Sequence, residues 1–374
     1  MSFRKIIFWF HLIIGVITAI IVFLMSFTGV LLTYEKQMIA NADRKLYNIQ
    51  PSDSTVPLSA EELLIKFREV RSEVNPSSLT ITSDSEMPPV ITSFPAGQTY
   101  INPYTGEILG TGAQGIRKFF RLMTDLHRWL ALSGESRGTG RSITGICNLG
   151  FLLILISGIY LWLPRKWTRN AVRYSTWFKP GLSSKARDSN WHYTFGFWST
   201  VPLIFIVISA VVISYPWASD LVFKITGSEV IFKGRPRRGP VEGPMPALDI
   251  NGINSMLTKL KSGTDIYKTI SIKIPTVDDQ TVSFTVNRGL EGQPQHRSTV
   301  TFDKKSHEIV KTEEFKDMDP GIRARFWMRF VHTGEYYGFA GQTIAGIASI
   351  SAVMLTWTGI ALSWRRYFRW MRRR

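Results

Sequence analysis

Four stretches of this chain carry no Asp, Glu, Lys or Arg: residues 6–33, 142–163, 191–219 and 336–364. Each exceeds the roughly 20 apolar residues that cross a bilayer as a helix. Backbone inside lipid must satisfy its own polar groups, so helices are what these stretches can form. The first is too long for a signal peptide and lacks a small-residue cleavage site, so it is expected to be retained. Basic residues bracket the spans. Arg4 and Lys5 precede the first; Arg165, Lys166, Arg169, Arg173, Lys179, Lys185 and Arg187 crowd the 164–190 loop; Arg365, Arg366, Arg369 and Arg372, Arg373 and Arg374 close the chain. The positive-inside bias predicts cytoplasmic termini and a cytoplasmic 164–190 loop, with residues 34–141 and 220–335 outside. Long external segments translocate largely regardless of charge, so the basic run at 233–238 does not oppose this. The net charge of +17 is thereby largely topogenic, and nucleic-acid binding is not needed to explain it. The single Cys147 excludes an intrachain disulfide and reads as a small buried apolar residue.

The chain repeats itself. GIRKFFRLMTDLHRWL (115–130) corresponds to GIRARFWMRFVHTGEY (321–336), and GRSITGI (140–146) to GQTIAGI (341–347). Thirteen residues beyond Gly145 comes Gly158, and thirteen beyond Gly346 comes Gly359. Each half is one span, an external segment, a membrane-surface helix with a histidine, and a second span. The halves run in the same direction, which implies a pseudo-two-fold axis along the membrane normal.

The external segments read as small α+β modules. Ser59 with Glu62 is a capping box opening a helix to about Val74, and alternating stretches follow at 78–83, 89–94 and 98–102. The second segment repeats this order, with a helix near 249–261 and strands at 268–274, 280–287 and 298–302. Neither carries a catalytic constellation.

Histidine is the residue that points to chemistry. Of six, four sit where the chain enters or leaves a span: His11, His127, His192 and His332. His11 to Tyr34 and His192 to Tyr215 are both 23 residues, and Gly15 and Gly196 each follow their histidine by four. The repeat brings His11 toward His192 on the cytoplasmic side and His127 toward His332 on the outer side. Gly15, and Gly29 eighteen residues on from His11, share the His11 face of a helix; Gly196 and Ala210 repeat this beside His192. A face bare of side chain beside an imidazole leaves room for a porphyrin edge, and imidazole is a common axial ligand of haem. No C-x-x-C-H occurs, so attachment would be non-covalent. His127 and His332, on helices at the outer surface, are expected either to ligate a second haem or to serve a structural or substrate-contacting role, and Met123, Met328 and Met354 are placed to replace one histidine as axial ligand. His296 and His307 fall in the second external module and read as solvated.

The spans, LHRWL (126–130), the Gly-Arg of 140–141 and the turn YINPYTGEILG (100–110) resemble the PepSY-associated transmembrane family, over nearly the whole chain. Within it, the chain is similar to the inner-membrane ferrisiderophore reductases of the ferrioxamine type. The resemblance implies a periplasmic pair of PepSY modules and b-type haem in the membrane; with the histidine register above, the expectation is two haems per chain, with His11, His192, His127 and His332 as metal ligands and Gly15 and Gly196 beside the cofactor. The second half departs from the pattern: Thr333-Gly334 stands where the first half has Arg128-Trp129, and Gln342 replaces Arg141.

The expected fold is thus a membrane protein: a four-helix transmembrane bundle from a tandem duplication, with two α+β (PepSY-like) modules inserted between spans 1–2 and 3–4. Its parts are the first span (1–33), module 1 (34–114), a surface helix and loop (115–141), the second span (142–163) and a basic loop (164–190). The third span (191–219), module 2 (220–320), a second surface helix (321–335), the fourth span (336–364) and a basic tail (365–374) follow. The expected activity is ferric-chelate reduction in the periplasm of a bacterial inner membrane. Its partners would be an Fe(III)-siderophore, an electron donor that is a cytoplasmic reductase or quinol, and membrane lipid. Arg137, Tyr336 and Tyr337 are candidates for contacting the chelate; with Trp129 and Trp327 the tyrosines otherwise make an interfacial aromatic belt. A non-redox membrane anchor regulating a peptidase, or a siderophore permease, are the competing readings. Residues 110–115 match G-x-G-x-x-G but lie in no βαβ unit, so dinucleotide binding is rejected.

Overall fold

The computed structural model describes residues 2–47, 49, 56–94, 96–164, 167–229, 247–264 and 266–372. The basic run at 233–238 and Arg165, Lys166, Arg373 and Arg374 lie outside the described residues. In chain order the α-helices are α1 (Phe3–Leu32), α2 (Glu35–Tyr47), α3 (Ala60–Val70), α4 (Gln114–Trp129), α5 (Arg137–Trp162) and α6 (Arg169–Thr176). They continue as α7 (Ser184–Ser214), α8 (Pro216–Ile225), α9 (Ile253–Ser262), α10 (Pro320–His332) and α11 (Gly338–Met371). The strands are β1 (Pro76–Thr82), β2 (Val90–Ser93), β3 (Gly97–Ile101), β4 (Ile108–Gly110), β5 (Thr269–Lys273), β6 (Thr281–Asn287), β7 (Arg297–Asp303) and β8 (Ile309–Glu314). These form two units, one helical (Met1–Glu35, Phe119–Ser228, Ala324–Arg374) and one built on the sheet (Lys36–Lys118, Glu229–Arg323).

In the helical unit α1, α5, α7 and α11 are long and apolar enough to cross a membrane. α1 packs on α5 and α11, and α7 packs on the same two. Leu155, Leu203, Val207, Ala348 and Ala352 fill the bundle interior. The outward faces are apolar as well: Ile20 is 77% exposed and Ile146 64%. On helices of this length, an apolar surface of this kind fits contact with lipid. The chain is a multi-pass membrane protein.

Two helix ends differ from expectation. α7 stops at Ser214, because Tyr215 is extended and Pro216 begins α8 at its first turn, the position where proline's missing N–H costs nothing. α11 runs on to Met371, so residues 365–371 of the basic tail continue the helix of the fourth span. Pro202 sits within α7.

The two inserted α+β modules meet in one sheet unit. Its eight antiparallel strands form one sheet, in the order β4-β3-β2-β1-β5-β6-β7-β8, joined where β1 pairs with β5. Alternation puts Leu79, Ile91, Ile270, Ile272, Val282, Phe284 and Phe302 into one core with α3 and α9. The capping box on α3 is present. Glu61 and Asn254, near the starts of α3 and α9, bond each other's backbone N–H, at 3.3 and 3.0 Å. The polar helix α2 carries a buried Asp43, whose carboxylate accepts from both guanidinium nitrogens of Arg117 at 2.6 Å, from Ala113 N–H at 2.7 Å and from the Tyr100 hydroxyl at 2.7 Å. Burial alone would raise the Asp43 pKa, but these donors outweigh it and hold the group below the usual carboxylate range.

Candidate functional site

The bundle gathers the four histidines into two pairs at two levels. The His11 and His192 rings are 6.5 Å apart between centroids, with planes at 84°. Those of His127 and His332 are 6.2 Å apart, at 65°. Each pair takes one residue from each half of the duplication. His11 to Thr28, a residue beside His127, is seventeen positions along α1, so the levels are about 25 Å apart along that axis at ~1.5 Å per residue.

What holds each ring is a residue that the sequence reading passed over. His11 Nδ1 is 2.9 Å from Ser157 Oγ, His192 Nδ1 is 2.9 Å from Thr358 Oγ1, and His127 Nδ1 is 3.0 Å from Thr28 Oγ1. Each hydroxyl already donates to a carbonyl one turn back in its own helix: Ser157 to Leu153, Thr358 to Met354, Thr28 to Leu24. Its proton is therefore committed, and it accepts from the ring. His332 Nδ1–H donates to the Ile206 carbonyl at 2.9 Å, with Ser209 Oγ at 3.3 Å. All four imidazoles are thus set as the Nδ1–H tautomer, which leaves Nε2 with the free lone pair. Burial, helped by Arg128 and Arg329, also holds His127 and His332 below the usual imidazole range, in the neutral form that ligates.

The residue after each hydroxyl is small: Gly29, Gly158, Ala210 and Gly359. An added methyl at Gly158 would lie 3.4 Å from His11 Cε1, and at Gly359 3.6 Å from His192 Cε1; Gly29 stands in the same relation to His127. Gly29 therefore serves the other level, not His11 as its helical phase suggested. Gly15 and Gly196 line a cavity of about 600 Å³ that also contains His11, His192, Gly158 and Gly359. The aligned Ser/Thr-Gly dipeptides were readable in the duplication, but one such dipeptide in an apolar helix carries no signal alone.

The apparent departures of the second half resolve into equivalent roles. Arg141 donates to the Ser214 carbonyl at 2.7 Å and Gln342 to the Thr33 carbonyl at 2.8 Å, each closing the end of the other half's first span. In the second half Gly334 makes the turn after the histidine with φ 75°; in the first, Leu130 and Ala131 make it with φ 55° and 58°. A methyl on Gly140 would overlap the Trp129 carbonyl, and one on Gly341 the Gly334 carbonyl, so both histidine helices are tied to the following span by backbone approach.

The remaining candidates sit elsewhere. The Arg137 guanidinium lies 3.4 Å over the Trp129 ring and 3.9 Å from Asp125. Tyr336 and Tyr337 pack together, and the Tyr337 hydroxyl accepts from Trp327 Nε1 at 3.2 Å. Met123 is buried, and Met328 packs against Val211, Val212 and Ala218. His307 Nδ1 is 3.3 Å from Ser255 Oγ, and His296 ends a short turn before β7. Gly110, Gly112 and Gly115 join β4 to α4 beside an all-antiparallel sheet, which has no dinucleotide crevice.

Chemically, two imidazoles at this spacing can clasp one metal. Two metal–nitrogen bonds of about 2 Å, and ~1 Å from each nitrogen to its ring centre, sum to about 6 Å between centroids. Among the described residues no group of three or more His, Cys, Asp or Glu could hold a metal ion. A haem, which brings four nitrogen ligands of its own, would need only the two imidazoles that either pair offers.

Four spanning helices with an inserted sheet, and histidine pairs at the duplication interface, define a class of multi-pass membrane protein. The family model described as the PepSY-associated TM region matches residues 8–366, and the chain belongs to that family. No curated protein matches it.

Proposed function

We propose that the protein is a di-haem electron-transfer protein of a bacterial inner membrane. It reduces an Fe(III)-siderophore on the periplasmic side and so releases Fe(II) for uptake. The observation that carries this reading is the presence of two imidazole pairs, about 25 Å apart along α1 and each ring fixed as Nδ1–H. A haem b in each pair would supply one-electron transfer within the apolar bundle. The chain's own part is to ligate through His11, His192, His127 and His332, to fix their tautomers, and to keep water out with the apolar faces of the spans. One electron from a cytoplasmic reductase or a quinol converts Fe(III) to Fe(II). Hard oxygen donors hold Fe(II) less tightly, so release needs no acid–base residue. In this reading, following the positive-inside bias of the basic loop and tail, both termini face the cytoplasm and the sheet unit the periplasm. Arg137, Tyr336 and Tyr337 are the proposed contacts to the chelate.

A peptidase regulator or a permease would leave the fixed imidazole pairs without a task. The test uses proteoliposomes holding a membrane-impermeant reductant, with a ferric hydroxamate and a coloured Fe(II) trap outside. Fe(II) should appear with the parent protein and not with His11→Ala or His332→Ala. Equal rates from all three would sink the reductase reading.

A further inference from the structure

The cavity beside His11 and His192 has apolar walls but a basic mouth. Arg366 and Arg369 line it together with Phe8, Trp162 and Ser363. Arg365, on the same helix, shares the buried Asp188 with Arg187. Among the described residues neither Arg366 nor Arg369 has an ion-pair partner. The Arg366 guanidinium is held over the rings of Phe8 and Trp9, at 4.8 and 4.7 Å. Stacking of this kind fixes the group without consuming its in-plane N–H donors. Gly359, against which the His192 ring lies, is seven residues before Arg366 on α11. That is about 10 Å along the helix, comparable with the reach from the centre of a porphyrin to the ends of its carboxylate arms.

We propose that Arg366 and Arg369 form an anion-binding mouth to this cavity, taking the carboxylates of a planar macrocycle whose centre lies between the two imidazoles. The proposal rests on the haem reading above and assigns the orientation of that group, with its acidic edge toward the end of the bundle where α11 finishes. Lipid phosphate is the other source of anionic oxygens at such a position, and the test separates the two.

Haem-free full-length protein, carrying His127→Ala and His332→Ala to leave one site, is titrated in detergent with haemin and with haemin dimethyl ester. R366Q/R369Q should weaken haemin binding by about tenfold or more, the loss expected for a charge-assisted hydrogen bond. The ester, which has no carboxylates, should bind both proteins alike. R366K/R369K should recover most of the haemin affinity, and R372Q should leave it unchanged. Equal weakening of acid and ester would give the arginines to lipid or to folding and overturn the proposal, as would no weakening of either. A parent protein that binds neither compound would overturn the haem reading itself, and this proposal with it.

Discussion

Thr358→Val tests the link between the hydroxyl collar and the imidazoles. The residue is fully buried, and valine keeps its shape. Its Oγ1 sits 2.9 Å from His192 Nδ1 and donates to the Met354 carbonyl at 2.7 Å, so what valine removes is an acceptor for the ring N–H. A buried donor left without a partner costs about 1–3 kcal/mol. A midpoint of about 2 kcal/mol is roughly a 30-fold loss, within the 10–100-fold range seen when partners of ligating histidines are removed. The assay is haem titration of the variant at the His11/His192 site, with thermal unfolding of the haem-free protein beside it. Thr358→Val should bind haem about 30-fold more weakly, and Thr358→Ser should restore binding. In the haem-free protein the ring is free to turn toward another acceptor, so the melting temperature should fall less than in the loaded one. Unchanged affinity in Thr358→Val, or equal destabilisation of loaded and haem-free protein, would refute the reasoning.

Other expectations follow from the same geometry. Asp43→Ala strands the Arg117 guanidinium and should cost about 3–5 kcal/mol, read as a lowered melting temperature of the sheet unit in the full chain. Because the folded-state pKa of Asp43 is depressed, its contribution is complete above the unfolded carboxylate value of about 4 and is lost as pH falls through the lower folded value. Stability compared at pH 7 and pH 3 should fall more steeply in the parent than in Asp43→Ala. Gly140→Ala and Gly341→Ala force backbone apart where the histidine helices meet the following spans, and should each cost about 1–3 kcal/mol; unaltered melting would contradict that close approach. The imidazole planes of His11 and His192 are nearly perpendicular, at 84°, and those of His127 and His332 stand at 65°. Near-perpendicular axial imidazoles leave the iron π orbitals almost degenerate. The oxidised His11/His192 site should therefore give the more anisotropic low-spin electron paramagnetic resonance signal, and the reverse order would contradict the ring geometry.

The spans were legible because charge is excluded from lipid, and the histidine pairing because a tandem repeat carries symmetry information that a single segment lacks. Gln342 in place of Arg141 looked like a broken repeat, but both donate to a helix-terminal carbonyl, a role that many polar side chains can fill. The one continuous sheet was not legible: β1 and β5 pair across roughly 190 residues, and nothing local in either strand names its partner. Helix α2 was missed because it lies outside the capping and alternation signals, and its central feature, Asp43, takes its meaning from Tyr100 and Arg117 far along the chain. The break after Ser214 was within reach, since Pro216 marks a first helical turn as readily as it marks a loop.

The central claim is that each imidazole pair clasps a haem. The direct measurement is the absorption spectrum of the detergent-purified protein, oxidised and dithionite-reduced, with haem counted as the pyridine haemochromogen. Two b-type haems per chain, falling to one in both His11→Ala and His332→Ala, is the result this account predicts. A colourless protein from cells supplied with haem precursor would contradict it.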